Sequence, residues 1–379
     1  MTGSLISAEN NFGLIAIFLS AAAFGFWSES TRLGKILSGV ILTIGAGALL
    51  SNLRILPFAS PFHDLVWTYA IPLAIPLLLF KADLRRIIPE AGRLLLAFAI
   101  ATFGTIAGVF AGFYLIGLGP LGHKIVGTIG ASWIGGSVNF AAVSKMIDLN
   151  DGTVLGAMAA SDNVGGTLFL TLLVLLPGSA LIRRFFPSAV IDAAPVEKDA
   201  AKSEERGRFH AADLATALAL SALCCFAGYT VAEFLNVPQF GMLFVTIAAL
   251  TIANVFPQRM HGLQGDFDLG MYFMYIFFAV IGASADVLLM LQTALPIFAF
   301  TGVMAVVHLA FVLGGAKLFR IDLAEALIAS NACALGPATA AAQAASQRWD
   351  TLVTPAVMLG ILGYAIANFI GVALSQFLA

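Results

Sequence analysis

The chain has 379 residues, of which 60% are hydrophobic and only 11% charged, with a mean hydropathy of +0.96. Soluble domains carry about 25% charged residues, so this composition sets aside a soluble globular protein. A formal charge of −2 is too small to point to nucleic acid or another strongly charged partner.

A helix that crosses a bilayer needs about 20 mostly apolar residues. Twelve stretches meet that requirement approximately: 11–28, 33–51, 65–80, 93–119, 122–147, 151–177, 212–235, 239–256, 269–290, 293–318, 322–346 and 351–378. Met1 to Asn11 show neither a basic n-region nor a small-residue cleavage site, so the first stretch is expected to stay in the mature chain. In the third, Pro72 and Pro76 predict a kink. Between the sixth and seventh lies a hydrophilic segment, Arg183 to His210, with eleven of the forty charged residues in mixed sign. It reads as a solvated linker between a first transmembrane repeat, 1–182, and a second, 211–379. The cysteines Cys224, Cys225 and Cys333 all fall in apolar stretches and read as small buried hydrophobes rather than a disulfide or zinc framework.

The two repeats share text. Phe80-Lys81-Ala82-Asp83-Leu84 closes the third stretch, and Ala283-Ser284-Ala285-Asp286-Val287 closes the ninth. The fifth stretch contains Gly-Ala-Ser-Trp-Ile-Gly-Gly-Ser-Val-Asn, Gly130 to Asn139; the eleventh contains Ala-Ser-Asn-Ala-Cys-Ala-Leu-Gly-Pro-Ala-Thr, Ala329 to Thr339. Gly136 lies over Gly336, and Asn139 over Thr339. Glycine permits dihedrals that a Cβ forbids, and proline withholds a backbone donor, so Gly135, Gly136, Gly336 and Pro337 predict a break in each helix. Paired breaks in matching halves point to a transporter binding site. Irregular backbone at membrane depth belongs beside buried protein or a cavity. Ser132, Ser137, Asn139, Ser330, Asn331 and Thr339 would add side-chain hydrogen bonds there, and the half-helix starts would suit a carboxylate. The competing reading is close packing of helices through small residues.

Basic residues set an orientation problem. Arg32, Lys35, Lys81, Arg85, Arg86 and Arg93 follow stretches one and three, whereas Arg259, His261, Lys317 and Arg320 follow stretches eight and ten. Twelve plain crossings cannot place both sets on the cytoplasmic side that such residues favour. An inverted repeat can, but it needs an odd number of crossings between matched positions, so one stretch is miscounted, re-entrant or split, and 122–147 is the first suspect.

Charge at the bilayer midplane costs about 2.5–3.5 kcal/mol on insertion scales and marks a functional site by default. Only Asp162 and His308 sit deep in a predicted span; Asp83, Glu233 and Asp286 lie near ends. Asp162, with Asn163, Ser161 and Thr167 as neighbouring neutral oxygens, reads as a proton or Na⁺ site, hard-cation chemistry. His308 would take the proton-donating role opposite. The alternative for both is a structural hydrogen bond between helices. No His-Glu-x-x-His, phosphate-loop or Gly-x-Ser-x-Gly pattern appears in a fitting context. The chain is therefore expected not to be an enzyme and to need no cofactor beyond a coupling ion.

The Gly-Ala-Ser-Trp-Ile-Gly-Gly text, the following helix with a midplane Asp and the later Ser-Asn-Ala-x-x-x-Gly-Pro together resemble the membrane family of unknown function DUF819 (YjcL-like), over nearly the whole chain. This chain departs from that family's common Asn-x-Gly-Gly by carrying Cys333-Ala334-Leu335-Gly336-Pro337. The resemblance implies the superfamily of cation/proton antiporters and bile-acid-type symporters. That implies inverted repeats, two crossing broken helices, and a core domain moving against a panel or dimerisation domain, commonly in a homodimer. It also implies that Asp162 and Asn163 hold a cation and that His308 matches a basic residue before the second break.

The expected fold is thus an all-α, multi-pass inverted-repeat transporter of the cell (inner) membrane. The expected function is alternating-access transport of a small solute, an organic anion first, coupled to H⁺ or Na⁺. The alternative is a monovalent cation/proton antiporter, and a remote one an intramembrane enzyme. The partners expected are the lipid bilayer and the solute, with no nucleic acid.

Overall fold

A computed structural model describes residues 4–193 and 210–379, and among them every regular element is helical. Each predicted apolar stretch becomes helix: α1 (Asn11–Glu29), α2 (Arg32–Asn52), α3 (Pro61–Leu79), an amphipathic α4 (Leu84–Ala91) and α5 (Arg93–Leu115). Then come α6 (Gly122–Gly135), α7 (Ser137–Met146) and α8 (Gly152–Leu175). The second half supplies α9 (Ala211–Phe234), α10 (Gly241–Val255), α11 (Asp266–Ser284), α12 (Val287–Phe319), α13 (Leu323–Ala334), α14 (Pro337–Ser346) and α15 (Asp350–Phe377). Among the described residues, α1, α3, α5, α8, α9, α11, α12 and α15 are long and apolar enough to cross a membrane. The protein is an all-α polytopic membrane protein. Of the predicted linker, 194–209 lie outside the described residues.

The helix α3 is irregular where the prolines predict a kink. A π turn spans Val66–Ala70, and Pro76 sits inside the helix that follows. Pro76 has no N–H for the carbonyl of Pro72, and the Cys225 thiol from α9 donates to that carbonyl at 3.3 Å. Ser221 Oγ donates to the next carbonyl, Leu73, at 2.6 Å. These carbonyls are satisfied by a neighbour from the other half.

The helices of both halves interleave in two groups. In the first, α11 packs on α1, α2 and α3, while α3 packs on α9 and α10. The second holds α5, α8, α12 and α15 with the two broken segments. Its central contact, α5 against α12, runs antiparallel over Gly104, Gly108 and Gly112. A Cβ at these positions would lie 2.5–2.7 Å from Phe311 Cβ, Met304 O and Phe300 Cδ2. Small residues on an i, i+4 row let helices approach closely in a membrane, where apolar burial from water supplies no drive between helices. Gly127, Gly135, Gly363 and Gly371 do the same between α6 and α15, with Cβ clashes of 2.4–2.7 Å.

The broken segments do not pass one another as plain broken helices; each turns back as a helical hairpin. A Cβ on Gly371 would touch both Ala131 on α6 and Val143 on α7, at 2.6 and 3.1 Å. At the base, Lys124 Nζ donates to the Asp148 carbonyl at 2.9 Å. In the second hairpin Asn331 Nδ2 donates to Gln343 Oε1 at 2.7 Å, across the tip. One glycine makes each reversal: Gly136 has φ 79°, ψ −177°, and Gly336 φ 91°, ψ −177°. The lone glycine of the second segment thus reproduces the first segment's geometry, although Leu335 replaces the preceding glycine. The tips meet, a Cβ on Gly136 lying 3.8 Å from Gly336 Cα.

Two asparagines hold the joints between the groups. Asn254 Nδ2 donates to Ala82 O at 3.0 Å, and its Oδ1 accepts from Leu84 N at 2.8 Å. Asn52 Nδ2 donates to Ala285 O at 2.9 Å, and its Oδ1 accepts from Val287 N at 3.3 Å. These are the similar Lys-Ala-Asp-Leu and Ser-Ala-Asp-Val segments, each clamped by the other half. Unsatisfied buried groups cost about 1–3 kcal/mol. Asn52→Ala and Asn254→Ala are therefore each expected to lower thermal stability in detergent by about that amount, and unchanged melting would show that water replaces the clamps.

Candidate functional site

Asp162 lies halfway along α8 and is 8% exposed. Ser132 Oγ donates to its Oδ2 at 2.6 Å and Trp133 Nε1 to its Oδ1 at 2.8 Å. Both donors come from the last turn of α6, just before the tip. The first hairpin therefore presents neutral donors to a carboxylate without neutralising it.

Asp162 borders a cavity of about 450 Å³ between the two helix groups, beneath both hairpin tips. The hairpins contribute Ser132, Gly136, Ser137, Val138, Leu335, Ala338 and Thr339 to its lining, and α8 adds Asn163, Gly166, Thr167 and Leu170. The opposite wall comes from α1, α2 and α11: Phe26, Glu29, Gly39, Val40, Phe267, Asp268, Met271 and Tyr275. Glu29 accepts a hydrogen bond from the Tyr275 hydroxyl. Gly25 and Gly39 leave room for that tyrosine, since a Cβ on either would lie 2.4–2.6 Å from Tyr275 or Thr43.

Of the predicted ion-site residues, Asp162, Asn163 and Thr167 share this cavity. Asn163 Nδ2 donates to Ala159 O and Thr167 Oγ1 to Asn163 O, both at 2.8 Å. His308 is elsewhere, fully buried between α5, α12 and the second hairpin. Its Nδ1 lies 2.8 Å from Thr105 Oγ1 and its Nε2 2.9 Å from Ser330 Oγ. The ring of Trp133, which donates to Asp162, has its centroid 6.2 Å from that of His308.

Of the predicted solute residues, Ser132, Gly136, Ser137 and Thr339 line the cavity. The others support it. Asn139 Nδ2 donates to Asn368 Oδ1 and Tyr364 O at 2.8 and 3.0 Å. Asn331 Oδ1 accepts from Thr339 Oγ1 at 2.8 Å, and Ser330 holds His308. Gly135 packs on Gly363, and Pro337 packs on Gly360. Sequence reasoning passed over the Trp133 donor, although it stood inside the motif. It also passed over Glu29 and Asp268, at or near helix ends where charge is unremarkable, and Tyr275 in mid-helix; only packing brings them to the cavity.

These features define a polytopic membrane protein with an internal, carboxylate-lined cavity at the meeting point of two helical hairpins. The family model described as protein of unknown function DUF819 matches residues 16–379. The chain is also 34% identical, over 97% of both sequences, to the uncharacterized membrane protein YjcL of Bacillus subtilis strain 168. The chain belongs to the DUF819 family.

Proposed function

We propose that the protein is a secondary active transporter that moves a small solute, coupled to H⁺ or Na⁺ at Asp162, by alternating access. The observation that carries this reading is the position of Asp162. It is a buried carboxylate, bonded only by neutral donors among the described groups, on a solute-sized cavity where one helix group faces the other. Ligand sites of about 300–1,000 Å³ are usual for small molecules, and intramembrane carboxylates mark ion pathways.

An inverted repeat accompanies this reading. With α6–α7 and α13–α14 as re-entrant hairpins, α1, α2, α3, α5 and α8 cross in the first half and α9, α10, α11, α12 and α15 in the second. Five crossings per half invert the second. The arrangement is supported by the reciprocal Asn52 and Asn254 clamps and by equal dihedrals at Gly136 and Gly336. It also removes the charge conflict. Lys81 pairs with Asp266 at 2.8 Å, which puts the end of α3 beside the start of α11, near Arg259. The antiparallel α5–α12 contact puts Arg93 beside Lys317 and Arg320. By the positive-inside rule that face is cytoplasmic. The cavity runs from Asp162 through Leu170 to Asp268 toward the same face, so this conformation is open inward. Membership of the cation/proton antiporter and bile-acid-type symporter superfamily, and a place in the cell membrane, belong to the same proposal.

The hairpin helix starts support an organic anion as solute, whereas Glu29, Asp162 and Asp268 support cation/proton exchange. Proteoliposomes containing a pH-sensitive dye test the transporter reading. Na⁺ or solute addition is expected to drive saturable proton or Na⁺ movement. A steady, unsaturable conductance would make the protein a channel instead.

A further inference from the structure

Resting on the transporter reading, we propose that the solute is a zwitterion of amino-acid size, bearing both an ammonium and a carboxylate group. The cavity has two electrical poles. One is formed by the first turns of α7 and α14, whose Ser137, Val138, Ala338 and Thr339 line it. Initial amides of a helix lack intrahelical acceptors and carry the positive end of the dipole. Two such helices, of 10 residues each, begin at tips that touch, so their positive ends converge on one wall.

The other pole is negative. It is formed by Glu29 and Asp268, which line the cavity from α1 and α11, while Asp162, beside the tips, is left to the coupling ion. Among the described lining residues there is no Lys, Arg or His. Three rings, Phe26, Phe267 and Tyr275, stand on the same wall as Glu29 and Asp268, and aromatic faces favour an ammonium group. The Tyr275 hydroxyl fixes the Glu29 carboxylate toward the cavity region. A plain organic anion would bring its charge against Glu29 and Asp268, with no cation among the described lining residues to receive it. A bare inorganic cation would leave the helix starts unused and most of the 450 Å³ unfilled. A molecule with a carboxylate at one end and an ammonium at the other complements both poles. The apolar Val40, Leu170, Met271 and Leu335 remain for its side chain.

The test is thermal unfolding of the purified full chain in detergent with each of the twenty amino acids at millimolar concentration. Each stabilising amino acid is then compared with its deaminated acid and its decarboxylated amine; for leucine these are 4-methylpentanoate and 3-methylbutylamine. A ligand that binds only the folded state raises the melting temperature by mass action. The expected result is a rise with one or more amino acids, none with either matched fragment, and a several-fold weaker apparent affinity in Glu29→Gln and Asp268→Asn. Equal stabilisation by the acid alone would make the solute a plain anion, and by the amine alone a plain cation. No response to any of the twenty also overturns the inference. In that case, Asp162-dependent ion movement in proteoliposomes would leave the transporter reading standing, and its absence would remove both.

Discussion

Asp162→Asn protein is expected to fold with near wild-type stability and to lose coupled ion movement by about 100-fold or more, since removing one partner of a buried charge pair costs about 2–5 kcal/mol and each 1.4 kcal/mol is tenfold. The reason for intact folding is geometric. Ser132 Oγ and Trp133 Nε1 donate to different carboxylate oxygens. Asparagine can keep its Oδ1 on Trp133 and turn its Nδ2 to the Ser132 oxygen, so no buried donor is stranded. What it cannot do is carry the negative charge that holds Na⁺ or trades a proton. Melting curves together with dye-reported flux in proteoliposomes separate the two effects. Wild-type flux in the variant would move the coupling site away from Asp162. Loss of flux with loss of fold would show that the carboxylate is a structural bond between α6 and α8.

The second large effect is expected at the hairpin tips. Gly136 and Gly336 hold φ of 79° and 91° with ψ near −177°, a region essentially restricted to glycine and costing other residues about 1–3 kcal/mol each. Space is not what excludes a side chain there. The nearest atoms to a Cβ are Tyr364 Cε1 at 3.6 Å from Gly136 and Tyr364 Oη at 3.4 Å from Gly336. Gly136→Ala and Gly336→Ala should therefore destabilise through the backbone alone, lowering the melting temperature and displacing Ser132 and Thr339 from the cavity. Transport should fall further than stability. Gly45→Ala is the control, because no atom lies within 4 Å of its Cβ and a helical alanine there should be neutral or stabilising. If the tip variants behave like Gly45→Ala, the positive φ carries no structural demand.

Much of the architecture is legible in the amino-acid sequence. Apolar stretches of spanning length become helices because a bilayer leaves the backbone few other ways to satisfy its hydrogen bonds. Gly136 and Gly336 announced interruptions because their residue types permit what neighbours forbid. Asp162 stood out because charge at that depth is costly. The direction of each break was not legible. A single glycine permits a bend, a crossing or a reversal, and packing of α6 and α7 on the same glycine of α15 selects the reversal. His308 shows the limit from the other side. Depth in a span made it resemble a site residue, yet Thr105 and Ser330, from two other elements, occupy both ring nitrogens.

The sequence by itself determined the environment, the helices and the deep carboxylate, because hydropathy, glycine dihedrals and charge burial act within short stretches of chain. Only the tertiary structure decided which polar groups share a cavity. Trp133 and Ser132 reach Asp162 across about thirty residues, and Glu29 and Asp268 join that cavity from opposite halves of the sequence. Such convergence depends on how helices pack through their glycine faces, a property of pairs of helices and not of either one.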